Sequence, residues 1–319
     1  NIGLNDASVA GLARHAGDQH FAWDSYRRLI QMFGKTVLDL PGDDFEHALE
    51  DMKASAGVVT DIDLPVASLK RLVDVYKSIV RDGTGHEFPQ DPYQQLDLAI
   101  RSVFHSWNTD RARLYRRQER IPHTLGTAVN VQVMAFGNAG EGSGTGVAFT
   151  RDPGSGARGV YGDYLPDAQG EDVVAGIRTP ETIDQLRDEN PEVYDQFAAI
   201  VDKLEKHYAD MQDMEFTIEE GKLFMLQTRN GKRTAAAAFK IACDLVDEGM
   251  ITQEHAVRMI DPKQIDALLH PQFDVAELAA AVSIGRGLPA SPGAACGQVT
   301  FTAKTAAAWG RRGEDVILV

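Results

Sequence analysis

The sequence predicts a mixed α/β (α+β) chain. A helical first third leads into a strand-rich middle, then into further helices and a last strand. Three observations carry this. Residues 7–118 place apolar side chains at helical spacing. After Ile121-Pro122 the pattern changes to alternation, rich in Val and broken by glycines. Residues 213–228 then read as two strands around a tight turn. With 43% hydrophobic and 25% charged residues, the chain has the composition of a folded protein, and its 319 residues suggest two or three units.

The helices follow in order. Phe21 to Ile30 is rich in aromatic and aliphatic residues at helical spacing. Asp43 or Asp44 is suited to cap a helix over Phe45–Ala54. Leu64-Pro65 opens the next, with Leu69, Leu72, Val73, Tyr76, Ile79 and Val80 on one face, and Asp82-Gly83-Thr84-Gly85 ends it. Asp91-Pro92 starts another, with Leu96, Ile100, Val103 and Phe104 facing inward. Arg111, Arg113, Arg116, Arg117 and Arg120 then form a basic run, read either as a solvated face or as a surface facing polyphosphate or a partner domain.

The alternation of residues 126–136 predicts a strand, followed by strands over Val147–Thr150 and Val160–Leu165. Residues 180–210 return to helix, with Pro180 and Pro191 near starts. Helices follow at 234–248 and 252–260, and Gly285–Gly293 has the composition of a linker. Val316-Ile317-Leu318-Val319 has the pattern of a buried strand, and Asn1 to Asp6 has neither Met nor a polar tail. Both ends favour an internal piece of a longer chain.

Charge and composition narrow the function classes. The net charge of −15 argues against sequence-independent nucleic-acid binding, which depends on clustered Lys and Arg. The apolar runs fall far short of the ~20 residues a membrane-spanning helix needs. Cys243 and Cys296 are the two cysteines, too few for a disulfide framework or a zinc site. With no secretory signal pattern, a reducing, cytoplasmic setting is expected. None of the nine histidines has metal-ligand spacing.

Chemistry has three candidate places. The first is the glycine-rich stretch Gly142-Ser143-Gly144-Thr145-Gly146, expected as a loop between strands. Such glycines are costly unless the backbone takes special dihedrals or approaches something closely. Successive N–H groups there suit an anion, whereas a ligand-free hairpin tip is the alternative. The second is the hairpin. A three-residue loop Glu219-Glu220-Gly221 would put Asp213, Glu215, Gln227 and Arg229 on one face. Two carboxylates and an amide oxygen beside a guanidinium suit Mg²⁺ with polyphosphate; a solvated polar face is the alternative. The third is Gln169 to Gly176, where Glu171 and Asp172 are suited to cap a helix or to meet a ribose or a second metal.

Several stretches together resemble the nucleotide-binding region of the pyruvate, phosphate dikinase family. They are IPHTLGTAVNVQVM (121–134), GSGTGVAFTRDPGSG (142–156), QGEDVVAGIRTP (169–180), QDMEFTIEEGKLFMLQTRNGKRTA (212–235) and LPASPGAACGQVTF (288–301), in order over more than half the chain. The resemblance implies an ATP-grasp-type lobe with an inserted helical subdomain, plus the beginning of a swivelling phosphohistidine domain. It divides the chain into a helical subdomain (1–118), the lobe (119–233), a helical connection (234–284) and the linker with the start of the swivelling domain (285–319). It implies that Asp213, Glu215, Gln227 and Arg229 line the ATP phosphates. Among these, Arg229, Glu215 and Gln227 take catalytic roles, and Asp213, Glu215 and Gln227 hold Mg²⁺. Gly142, Ser143, Gly144, Thr145 and Gly146 close over the phosphates. Glu171 and Asp172 lie near the nucleotide, and strand 129–134, with Gln132 and Met134, near the adenine.

The activity so implied moves the β-phosphoryl of ATP to a histidine on the swivelling domain and the γ-phosphoryl to inorganic phosphate. AMP and pyrophosphate are released, and pyruvate and phosphoenolpyruvate interconvert. Expected partners are ATP/AMP, phosphate/pyrophosphate and the swivelling domain of the same chain, in a homodimer of the full-length protein, with no nucleic acid or membrane. The family's first lobe and its Thr-Ser-His phosphoryl acceptor have no counterpart in this sequence. The alternatives are a phosphoenolpyruvate synthase-like enzyme using water, and a non-catalytic ATP-grasp or docking module.

Overall fold

The computed structural model describes residues 2–174, 179–269, 273–282 and 295–318. The expected linker Gly285–Gly293 and part of the matched stretches 169–180 and 288–301 lie outside these residues. The chain divides into two compact units, 1–139 and 140–319.

The first unit is helical: α1 (Ser8–Ala16), α2 (Gln19–Thr36), α3 (Gly42–Ala56), α4 (Val66–Thr84), α5 (Pro92–Ser106) and α6 (Asp110–Gln118). Its core is built where α2, α3 and α4 meet, around Tyr26, Ile30, Phe33, Phe45, Leu69, Leu72, Val73 and Tyr76. The face expected of α4 is the buried one, with Ile79 partly buried at its margin. Capping follows local chemistry. Asp18 accepts from the His20 and Phe21 N–H groups to start α2, and Asp91 accepts from Tyr93 N–H, with Pro92 in the first turn of α5.

Three expectations fail here. The α3 cap is Pro41, and Asp43 and Asp44 sit inside the first turn, where they complement the helix dipole instead of capping. On α5 the fully buried side chain is Gln95, while Val103 and Phe104 are exposed. Gln95 wins this position because its amide serves Gly3 N–H and the Leu4 and Pro89 carbonyls, which no apolar side chain can do. Residues 126–136 form no strand. They run irregularly with Val131 and Val133 exposed, held at one end by Phe136, whose ring packs edge-on to Phe21 at 5.0 Å. Alternation makes a strand only where a neighbour supplies hydrogen-bond partners, and no described strand lies beside this one.

A buried ion network crosses the first unit. Asp24 accepts from Arg28 Nε at 2.8 Å and from the Arg27 guanidinium, and Asp61 accepts from Arg27 at 2.9 Å. Burial pushes the Asp24 carboxyl up, but Arg27 and Arg28 outweigh it and hold it below the ordinary value.

The second unit is built on an antiparallel sheet in the order β3-β2-β1-β4-β5. Its strands are β1 (Gly144–Arg151), β2 (Arg158–Pro166), β3 (Glu181–Thr182), β4 (Gln212–Glu219) and β5 (Lys222–Asn230). The short helix α7 (Gly170–Val174) follows β2, and α8 (Ile183–Glu189) and α9 (Pro191–Tyr208) follow β3. The helical stretch expected over 180–210 is α8 and α9; Asn190 caps α9, and Pro191 stands in its first turn, near a helix start as expected. One sheet face, carrying Ala148, Tyr164, Met214, Phe216 and Ile218, packs on Phe197 and Val201 of α9 and on α8. Then come α10 (Ala235–Asp247), α11 (Gln253–Met259), α12 (Pro262–Leu269) and α13 (Val275–Ala280). Ile241 and Leu245 of α10 close a smaller core with Met211 and Phe149.

Arg151, with no exposed side-chain surface, joins β1 to α9 through Glu205 and to the C-terminal cap of α10 through Glu248. Last are β6 (Gln298–Thr300), α14 (Ala303–Gly310) and β7 (Val316–Leu318); β6 and β7 pair in parallel, apart from the main sheet. Within the terminal apolar run, Val316–Leu318 thus form a strand, half-exposed rather than buried.

Candidate functional site

The hairpin β4–β5 carries the densest polar grouping predicted from sequence. Glu219 faces Lys222, so the turn is the pair Glu220-Gly221, with φ of 48° and 78°. Both residues are left-handed, as a type I′ turn requires. The expected three-residue loop is therefore wrong. Carried along the strands unchanged, this register would set Leu226 against Glu215. Instead the register slips once: Phe216 faces Met225, while Glu215 faces Gln227. Leu226 is left over as a bulge. Beyond it Asp213 faces Arg229. Asp213, Glu215, Gln227 and Arg229 therefore stand side by side, by a different route from the one expected.

Their geometry is that of a charged patch with one anchored pair. Arg229 Nε donates to Asp213 Oδ2 at 2.6 Å, and its far nitrogen lies 3.6 Å from Glu215 Oε1. Asp213 is mostly buried (11% exposed), whereas Glu215 and Arg229 keep 38% and 56% of their side-chain surface. The hydrogen bond to Asp213 raises the guanidinium pKa, so the cation is permanent. Gln227 is exposed beside Glu215. Across the sheet, Asp163, Val147, Glu215 and Gln227 lie in one row over β2, β1, β4 and β5. Asp163 was missed by the sequence reading, although the alternation of β2 and β4 places it there. Partial burial pushes its carboxyl above the ordinary value.

The glycine-rich stretch is not a loop over this patch. Gly144, Thr145 and Gly146 are part of β1, paired on both sides. Their glycines serve close packing: a Cβ at Gly144 would stand 2.6 Å from the Tyr164 ring, and one at Gly146 2.5 Å from Phe216. Thr145 Oγ1 is buried and donates to the Phe216 carbonyl. Gly142 and Ser143 dock on the hairpin turn instead. The Gly142 carbonyl accepts from Gly221 N–H, and Ser143 Oγ accepts from Glu220 N–H, both at 2.9 Å. At about 3.4 Å per residue, that turn is roughly 17 Å along the strand from Glu215.

Asp172 is buried and accepts from Gln169 N–H at 3.0 Å, while its own N–H returns to the Gln169 carbonyl. This reciprocal cap starts α7, with Glu171 beside it in the first turn. The start of α7 lies over Thr145, which shares the sheet face with Val147 and Glu215. Gln132 and Met134 belong to the other unit, both exposed on the irregular segment. No group of three or more His, Cys, Asp or Glu converges as a metal site among the described residues, and no described helix is long and apolar enough to cross a membrane.

Comparison with known proteins matches residues 29–196 and 185–250 to the family model described as pyruvate phosphate dikinase, AMP/ATP-binding domain. Pyruvate, phosphate dikinase of Clostridium symbiosum is 57% identical over the whole chain, which covers 37% of that relative. The chloroplastic pyruvate, phosphate dikinase 1 of rice is 52% identical over the whole chain, covering 34% of it, and that of Arabidopsis thaliana is 51% identical, covering 33%. The chain thus spans about a third of the length of the curated relatives it matches.

Proposed function

The chain belongs to the pyruvate phosphate dikinase AMP/ATP-binding domain family, and from that premise we propose that its hairpin face binds the phosphates of ATP with Mg²⁺ within a longer phosphotransferase. The observation that carries the reading is the row of Asp213, Glu215, Gln227 and Arg229 on adjacent strands. Arg229 supplies a fixed bidentate cation for phosphate oxygens.

The donor set fits Mg²⁺ rather than a metal held by protein alone. Mg²⁺ is usually bound through one or two carboxylates together with substrate phosphates and water. Glu215, Asp213 and Gln227 offer two carboxylates and an amide oxygen, short of a full octahedron. The metal so held would neutralise charge on the phosphoryl group in transfer. The proposed reaction passes the β-phosphoryl of ATP to a histidine outside this chain and the γ-phosphoryl to inorganic phosphate, serving the interconversion of pyruvate and phosphoenolpyruvate. The ATP-grasp architecture, the four-part division of the chain, the cytoplasmic setting, the homodimer and the nucleotide contacts of Glu171, Asp172, Gln132 and Met134 belong to the same proposal. The relatives compared all carry the dikinase name, which leaves the water-using and docking-module alternatives unfavoured.

Phosphorylation of the full-length enzyme by ATP labelled at the β-phosphate tests this reading. Glu215→Ala and Gln227→Ala each reduce the labelled enzyme about a hundredfold or more. Arg229→Lys also impairs labelling, because it loses the fork. Undiminished labelling in Glu215→Ala and Gln227→Ala refutes the assignment.

A further inference from the structure

We infer that Thr150, Glu205 and Arg151 form a positioning relay that sets where Asp213 and Arg229 stand on the hairpin face. The inference rests on the proposed Mg-nucleotide role of that face. The register of β1 with β4 ends at Phe149 opposite Asp213. One residue further, Gln212 N–H donates at 3.1 Å to the side-chain oxygen of Thr150. A hydroxyl has one proton, and Thr150 gives it to Glu205 Oε1 at 2.7 Å. The Thr150 lone pairs are thereby turned toward Gln212.

Glu205 is itself gripped by Arg151, from Nε at 2.9 Å to one oxygen and from a terminal nitrogen at 3.0 Å to the other. Arg151 cannot swing away, because its two terminal nitrogens also donate to the two oxygens of Glu248 at 3.1 and 2.7 Å. The far end of the relay reaches both site strands. Gln212 is buried, and its amide accepts from Thr228 and donates to Asn230, each at 3.2 Å. It therefore brackets Arg229 from the facing strand, while Asp213 is its own neighbour in sequence. A directional chain thus runs from α10 and α9 to the Asp213–Arg229 pair. Displacements well under 1 Å matter for a site that orients a metal and a polyphosphate.

A cluster that only adds stability would lower the melting temperature and leave Mg²⁺ dependence alone, so the two roles separate experimentally. In the full-length enzyme, the readout is the Mg²⁺ concentration giving half-maximal phosphorylation at saturating ATP, taken beside the melting temperature. Thr150→Val removes both hydrogen bonds and keeps the shape; it raises that concentration about tenfold. Thr150→Ser restores it to within about twofold. A Thr150→Val enzyme with a lower melting temperature but unchanged Mg²⁺ dependence overturns the relay. Should Thr150→Val not fold, Glu205→Gln, which loosens the Arg151 grip, is expected to shift the Mg²⁺ requirement in the same sense, and no shift overturns the relay equally. If Glu215→Ala also leaves Mg²⁺ dependence unchanged, the phosphate-site reading itself has failed, and the relay with it.

Discussion

Replacing Asp24 by Asn isolates the cost of unbalancing a buried charge network. The substitution keeps the shape of the side chain and removes one negative charge. Arg27 and Arg28, 3% and 8% exposed, then keep Asp61, at 2.9 and 3.4 Å, but lose the carboxylate that both of them grip. Removing one partner of a buried ion pair costs about 3–5 kcal/mol, because a desolvated charge is left without compensation. The expected loss at pH 7 is therefore about 3–5 kcal/mol. The sign with pH follows from the depressed Asp24 pKa. Such a group stabilises the fold above its unfolded value, about 3.9, and that contribution is lost as pH falls through the still lower folded value. The gap between wild type and Asp24→Asn is accordingly full at pH 7 and narrows below about pH 4. Urea titrations followed by fluorescence suit this, since Trp23 adjoins the network in sequence. A gap below about 1 kcal/mol at pH 7, or one that stays constant into acid, refutes the reasoning.

Other expectations follow from single contacts. Gly162→Ala would bring a Cβ within 2.4 Å of the Val147 carbonyl oxygen and 2.7 Å of Ala148 Cα, atoms that cannot swing aside. A loss of about 3 kcal/mol is expected in thermal or urea melts. Glu220 holds φ of 48° in the hairpin turn, so Glu220→Asn is expected to stabilise by about 0.5–1 kcal/mol, read as a rise in melting temperature. Phe197 is fully buried against Phe216 at a ring separation of 4.6 Å, and Phe197→Ala is expected to cost about 3–5 kcal/mol in the same measurement.

What was legible in the sequence was what short-range patterns decide. Helices α2 and α4 declare themselves through apolar periodicity, and α4 also through Pro65 at its start and Gly85 at its end. The hairpin is announced by alternation on either side of a tight turn, although the turn is one residue shorter than expected. What failed depends on distant groups. Residues 126–136 alternate like a strand, yet hydrogen-bond partners must come from elsewhere in space. The inward face assigned to α5 missed Gln95, whose burial depends on carbonyls at Leu4 and Pro89. Gly144 and Gly146 read equally well as a phosphate cradle or as a ligand-free hairpin tip. Their place inside β1, with Tyr164 and Phe216 pressed against them, depends on β2 and β4, which no short-range pattern shows. For the candidate site, the four side chains were legible, whereas Asp163 in the same row went unremarked and the Arg151–Glu205–Thr150 chain needed three elements in place.

The bulge at Leu226 bears on how the hairpin tolerates changes of length. Between the turn and the Asp213–Arg229 pair, β5 uses one residue more than β4. Loss of Leu226 would even the two strands and leave Gln227 opposite Glu215 and Arg229 opposite Asp213. Gain of a residue between Met225 and Gln227 has no such outlet, because a second surplus residue must either widen the bulge or turn Gln227 and Arg229 toward the α9 side. Insertions and deletions at this one point of the strand are therefore not mirror images. A survey of length variants should find shortening accepted and lengthening purged, in a stretch where both would otherwise pass as minor edits to an exposed edge.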